Sequence, residues 1–129
     1  MSIPVEEMYK LVGFVREQLG EFAYVGGYGH IGDGNLHLNI AVPHNAEPKI
    51  LDMVHNELEP LIYEKVSEYK GSISAEHGVG YLKAEHLHFS KSPGAISNMV
   101  GLKRMLDPNN ILNPYKMFET ERQYSVKDE

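Results

Sequence analysis

Between Gly29 and Val42 the chain reads GHIGDGNLHLNIAV, a glycine-rich bend that runs into a strand with regularly alternating side chains. Successive side chains on a strand point to opposite faces, so Leu36, Leu38, Ile40 and Val42 share one side and Asn35, His37 and Asn39 the other. The apolar side would face a core covered by helices. The other side carries a histidine and two asparagines, a composition that points to a site and not to a plain solvated surface. Gly29, Gly32 and Gly34 let the bend turn tightly and carry His30 back toward the start of the strand. The aromatic and β-branched stretch from Phe22 to Tyr28 is the predicted partner, which gives an antiparallel hairpin.

Helical spacing dominates the rest. Val5, Met8, Leu11, Val12, Val15 and Leu19 predict an amphipathic helix over Ile3 to Leu19, with Pro4 in its first turn and Gly20 as the stop. Pro43 to Pro48 is a loop. From Lys49 to Tyr69 the positions Leu51, Val54, Leu58, Leu61, Ile62, Val66 and Tyr69 form one stripe, kinked or split at Pro60 and ended by Gly71. Ser72 to Ser74 can make a short strand. Ser92-Pro93 starts a last helix, for which Ala95, Ile96, Met99, Leu102, Met105 and Leu106 are the predicted buried side. Asp107 to Asn110 is a turn, and residues 119–129 are predicted to be a flexible tail. With no linker, repeat or low-complexity stretch, residues 1–129 read as one α+β domain, a small antiparallel sheet covered by helices.

Composition narrows the chemistry. The 129 residues hold no cysteine, so there is no disulfide framework and no thiolate ligand, and metal chemistry falls to His, Asp and Glu. A net charge of −6 without a Lys/Arg cluster argues against a nucleic-acid or anionic-membrane partner. No apolar run approaches the ~20 residues that span a bilayer, and the first residues match neither a signal peptide nor an Arg-rich transit pattern.

His30 and His37 lie across the glycine bend, close enough in a hairpin to bind one metal ion together. Taken singly, each would read as an ordinary hydrogen-bonded histidine. The nominee for a third ligand is Glu76, in the segment Glu76-His77-Gly78-Val79-Gly80, which fits neither a regular helix nor a strand; the alternative is a polar loop without a role. Two histidines and one carboxylate leave a coordination position open, the pattern of a catalytic ion. Adjacent side chains diverge, so His77 would face a substrate from another direction as a general base. Asp33, between two glycines, reads as a turn former that binds nearby amides. His44, His55, His86 and His88 read as surface or structural, and Asn113 to Lys116 as a compact hook or a plain chain reversal.

Three motifs in this order, Gly29-His-Ile-Gly-Asp-Gly-Asn-Leu-His-Leu-Asn39, Ser74-Ala-Glu-His-Gly-Val-Gly80 and Leu112-Asn-Pro-Tyr-Lys116, resemble the carboxy-terminal part of the flavin-linked 2-hydroxy-acid dehydrogenases, over roughly residues 20–118. That family includes enzymes of D-2-hydroxyglutarate and of D-lactate, and Tyr115 is more similar to the D-2-hydroxyglutarate branch, some of whose members are labelled actin-interacting. The resemblance implies a partial ferredoxin-like cap domain of a flavoprotein. It implies that His30, His37 and Glu76 bind zinc, that Asn39 touches the substrate, and that His77 takes the hydroxyl proton as hydride leaves for FAD. Asn35, Asn113 and Lys116 lie in motifs that in the family are near the flavin.

Members of this family are several times longer, with a flavin-binding domain and cationic substrate-binding residues upstream. This chain has three arginines, Arg16, Arg104 and Arg122, none in a motif. The expectation is therefore a fragment that holds the metal and base residues, does not bind FAD, is inactive alone, and self-associates through an exposed sheet edge. For the full-length family member the resemblance implies a mitochondrial location, with a cytoplasmic one as the alternative. Two other readings compete: a metal-dependent hydrolase, in which Glu76 or His77 activates a water, and a non-enzymatic interaction module of the actin-interacting type.

Overall fold

The computed structural model describes residues 1–118; the tail predicted at 119–129 lies outside the described residues. The chain divides into two compact units, Met1–Glu76 and the part from His77 onward.

In the first unit, helix α1 (Val5–Leu19) is followed by strand β1 (Tyr24–His30), a four-residue bend and strand β2 (Asn35–Ala41). The strands pair antiparallel, with Tyr24 opposite Ala41, Tyr28 opposite His37 and His30 opposite Asn35. This is the predicted hairpin, shifted: β1 begins at Tyr24 and not Phe22, because Gly20–Phe22 form a 3-10 turn first. Leu11, Val12, Val15 and Leu19 of α1 are buried, as are Val25 and Leu36 of the sheet. The opposite, polar face of the sheet is the one that carries His30 and His37. On the outer edge of β1 the Arg16 guanidinium donates twice to the Val25 carbonyl, at 3.2 and 2.9 Å.

Residues 1–3 are not helical. Proline biases the residue before it toward extended backbone, so α1 starts only after Pro4, and Met1 to Ile3 run beside β2. The Leu36 N–H donates to the Met1 carbonyl at 2.7 Å, and the Ile3 N–H to the Gly34 carbonyl at 3.0 Å. Ser2 bridges in turn to Ser72, with a 2.8 Å bond in each direction. The expected strand at Ser72 to Ser74 is thus a single bridge, but it ties this segment to the sheet through Ser2.

Between the sheet and Ser72 runs one long helical stretch, α2 (Pro48–Met53), a π-helical turn (Val54–Leu58) and α3 (Glu59–Glu68). Pro60 lacks an N–H and its ring would clash with the Asn56 carbonyl in a regular α-helix. The π turn, closed by the Glu59 N–H on the Val54 carbonyl, widens the helix at that place. Leu58, Ile62, Tyr63 and Val66 are buried, whereas Leu51 and Leu61 of the predicted stripe are exposed. After α3, Lys70 takes a left-handed conformation with φ +56°. Gly71 then passes so close to the N-terminal segment that a Cβ there would lie 2.4 Å from the Ser2 carbonyl oxygen.

In the second unit a 3-10 helix (Ala84–Phe89) precedes helix α4 (Pro93–Leu106), whose N-terminus is capped as expected by Ser92, the hydroxyl accepting from the Ala95 N–H at 3.3 Å. Its core is Leu87, Val100 and Phe118, with Val79, Ile96 and Met99 packed against them. The predicted burial of Leu102, Met105 and Leu106 is incorrect: all three are exposed, because the core contacts of α4 end at Val100. Beyond α4, Asp107 is buried and gathers the chain reversal. Its carboxylate accepts from the Ile111 and Leu112 N–H groups at 3.0 and 2.9 Å and from Lys103 Nζ. The Lys103 ammonium first, and then those two amides, hold this carboxyl below its ordinary pKa. Among the described residues no helix is long and apolar enough to cross a membrane.

Candidate metal centre

The bend that joins the two strands is built as its residues dictate. Ile31–Asp33 make one 3-10 turn, Gly34 takes φ +70°, and the Asn35 N–H donates to Asp33 Oδ1 at 3.1 Å. Asp33 is the turn former the sequence indicated. A side chain at Gly34 would be strained twice, by its left-handed φ and by the Ile3 carbonyl oxygen 2.5 Å from a Cβ placed there.

Directly opposed residues of an antiparallel pair share a face, so His30, Tyr28, Asn35, His37 and Asn39 are set on one side of the hairpin. The His30 and His37 rings meet edge to face, 5.6 Å between centroids. Glu76 arrives on this side four residues after Ser72, which the bridge to Ser2 has already fixed beside the sheet. Its two carboxylate oxygens divide between the histidines: Oε1 lies 3.3 Å from His37 Nε2 and Oε2 lies 3.7 Å from His30 Nδ1.

One ligand atom from each of His30, His37 and Glu76 lies within 4.8 Å of the other two. Zinc bonds of about 2.0–2.1 Å to nitrogen and oxygen, arranged tetrahedrally, put ligand atoms roughly 3.3 Å apart. His37 Nε2 stands at that value from Oε1 of Glu76, and His30 Nδ1 is close to it from the other carboxylate oxygen, Oε2, so each histidine meets a different oxygen of the shared carboxylate. The His30 and Glu76 side chains are 58% and 46% exposed, so the remaining adjustment is a rotation in open space. The donor set, two neutral imidazoles and a carboxylate with solvent access, fits a zinc ion that keeps a position for a substrate.

The other predicted residues are placed as follows. Asn39 stands on the same strand face as His37, exposed, opposite Gly26. Asn35 is buried at 2% exposure, and neither atom of its side-chain amide has a hydrogen-bond partner among the described residues. His77 is the first residue of the second unit, which also contains Asn113 and Lys116. Asn113 has φ +55°, and Lys116 Nζ donates to the Pro114 carbonyl at 3.1 Å and lies over the Tyr81 ring. Of the three residues assigned to the flavin, Asn35 lies in the first unit and Asn113 and Lys116 in the second. Tyr28, not among the residues the motifs single out, stacks on His37; the hairpin register, counted back from the bend, is the signal that points to it.

Residues 1–117 match the family model of the FAD linked oxidases, C-terminal domain. A protein of Oryza sativa subsp. japonica named probable D-2-hydroxyglutarate dehydrogenase, mitochondrial, is 50% identical over 117 residues, 91% of this chain and 20% of its own length. The mitochondrial D-2-hydroxyglutarate dehydrogenase of Danio rerio is also 50% identical over 117 residues, 90% of this chain and 21% of its own. The D-2-hydroxyglutarate–pyruvate transhydrogenase of Saccharomyces cerevisiae is 41% identical over 126 residues, 90% of this chain and 24% of its own. The chain spans about a fifth of the length of the curated relatives it matches.

Proposed function

The chain belongs to the C-terminal domain family of the FAD-linked oxidases, and from that premise we propose that it holds the metal and the proton-accepting base of a D-2-hydroxy-acid dehydrogenase acting on D-2-hydroxyglutarate. The observation that carries this reading is the convergence of His30, His37 and Glu76. The names of the relatives favour it over a hydrolase or an interaction module, since they are dehydrogenases and a transhydrogenase of a 2-hydroxy acid. By the same relatives we assign the parent activity to mitochondria.

His30, His37 and Glu76 would hold zinc, the imidazoles neutral and the carboxylate ionised, as ligation requires. Bound there, the ion would supply a Lewis acid that makes a coordinated hydroxyl more acidic. Asn39, on the same strand face, offers an amide that orients the substrate by hydrogen bonds. To His77 we give removal of the hydroxyl proton onto a ring nitrogen; its position next to Glu76 in the chain supports this. Asn35, Asn113 and Lys116 are proposed to face a flavin only in company with the remainder of a protein as long as the relatives. The 129 residues alone are then inactive, and the open edge of β1 supports their self-association, which sedimentation at several concentrations would read.

The test uses the 129-residue chain with zinc, D-2-hydroxyglutarate, FAD and a redox dye. The expected result is zinc-dependent binding of the D-acid, abolished in Glu76→Gln, without dye reduction. Dye reduction by this chain, or binding of the acid that survives removal of zinc, contradicts the reading.

A further inference from the structure

One contact at the cluster has a part in neither the ligand set nor the base. Tyr28 is the direct cross-strand partner of His37, and the two rings stack with centroids 5.1 Å apart and planes 18° from parallel. His37 is thereby flanked on two sides, flat against Tyr28 and edge-on to His30. Its side chain is 22% exposed, against 58% for His30, and it is the imidazole nearer Glu76, at 3.3 Å. Tyr28 itself is 61% exposed, so the apolar core does not account for where it stands.

A metal-binding imidazole has a free torsion about its Cβ–Cγ bond, and its affinity depends on which way the ring is turned. Neighbours that fix the ring preserve affinity by removing the cost of ordering it on binding. Rotation of the His37 ring out of its present plane would break the stack with Tyr28. We propose that Tyr28 is a positioning residue for the metal centre, holding the His37 ring in the orientation that presents Nε2 to the shared point with Glu76; the inference rests on the zinc reading above. The ring face does this and the hydroxyl does not. Tyr28→Phe therefore preserves the function, whereas Tyr28→Ala or Tyr28→Leu removes it, and Leu keeps the bulk of the strand while lacking a flat face.

The experiment has two readouts on the 129-residue chain. In the first, zinc is titrated against a chromogenic chelator in wild type, Tyr28→Phe, Tyr28→Ala, Tyr28→Leu, His37→Ala and Tyr24→Ala, the last being an exposed tyrosine elsewhere on β1. The account expects Tyr28→Phe within about threefold of wild type, Tyr28→Ala and Tyr28→Leu weaker by roughly 10–100-fold, as for other residues that orient metal ligands, and Tyr24→Ala unchanged. In the second, the His37 ring protons are followed by NMR without metal, and the ring-current shift from Tyr28 should survive in Phe and vanish in Ala and Leu. Zinc affinity in Tyr28→Leu equal to wild type overturns the inference. Wild-type protein that fails to bind zinc overturns the metal reading instead, and the metal-free NMR measurement still decides whether Tyr28 holds the His37 ring.

Discussion

Gly34→Ala is the perturbation that most fully exposes how the hairpin and the centre are built. At φ +70° an alanine costs about 1–2 kcal/mol relative to glycine. Its Cβ would also lie 2.5 Å from the Ile3 carbonyl oxygen, a backbone atom that moves only with its chain. Relief of that clash breaks the 3.0 Å bond from the Ile3 N–H to the Gly34 carbonyl, worth about 1 kcal/mol. Against these stands a gain of about 0.4–1 kcal/mol, because alanine has less freedom than glycine in the unfolded chain. The net loss is about 2 kcal/mol, roughly a thirtyfold shift of the folding equilibrium. Urea denaturation followed by circular dichroism should show the midpoint falling by about 1 M for a slope near 2 kcal/mol/M. Gly32→Ala is the control, two residues away in the same bend, where a Cβ meets no atom within 4 Å and φ is not left-handed. Its midpoint should stay within about 0.25 M of wild type, the equivalent of ~0.5 kcal/mol. Equal midpoints for the two variants would refute the tie between the bend and residues 1–3.

Gly71→Ala pushes a Cβ to 2.4 Å from the Ser2 carbonyl oxygen, so it should cost about 1–3 kcal/mol and, by disturbing the bridge that leads to Glu76, weaken zinc in a chelator competition. Asp107 has a folded pKa below its unfolded one, so its contribution is complete above the ordinary carboxylate range and is lost as pH falls through the lower folded value. Acid titration of the second unit should show that loss in wild type and not in Asp107→Asn. Burial, and then a hydrogen bond donated to Glu59, raise the Tyr63 phenol above its ordinary value. Its contribution is complete below pH ~10 and disappears as pH rises further, a dependence that alkaline unfolding should show in wild type and not in Tyr63→Phe.

The features legible in the sequence are those decided within a few residues. The alternation from Asn35 onward, the turn held by Asp33 and the Ser92 cap each depend on neighbours along the chain, and each stands where the pattern put it. Ile3 continues a helical spacing yet is not helical, because the effect of Pro4 on its predecessor and the open side of β2 both favour a strand-like course. That course is also what carries Ser72, and so Glu76, to the hairpin, a link across more than thirty residues that periodicity does not register. Leu102, Met105 and Leu106 have the spacing of a buried stripe, but spacing says which residues share a side and nothing of whether an element covers it. Asn35 belongs by alternation to the polar face, yet it is buried, at the strand end to which Ser2 is bridged. The pairing of His30 with His37 is readable from the bend and Glu76 from its segment beside His77; that one carboxylate reaches both imidazoles is a tertiary fact.

The central claim is that two imidazoles and one carboxylate of this chain bind a single metal ion. Zinc titration of the purified 129-residue chain by calorimetry, repeated with His37→Ala, tests it most directly. One zinc per chain in wild type and none of that site in the variant is the expected result; the same stoichiometry and affinity in both proteins would contradict it.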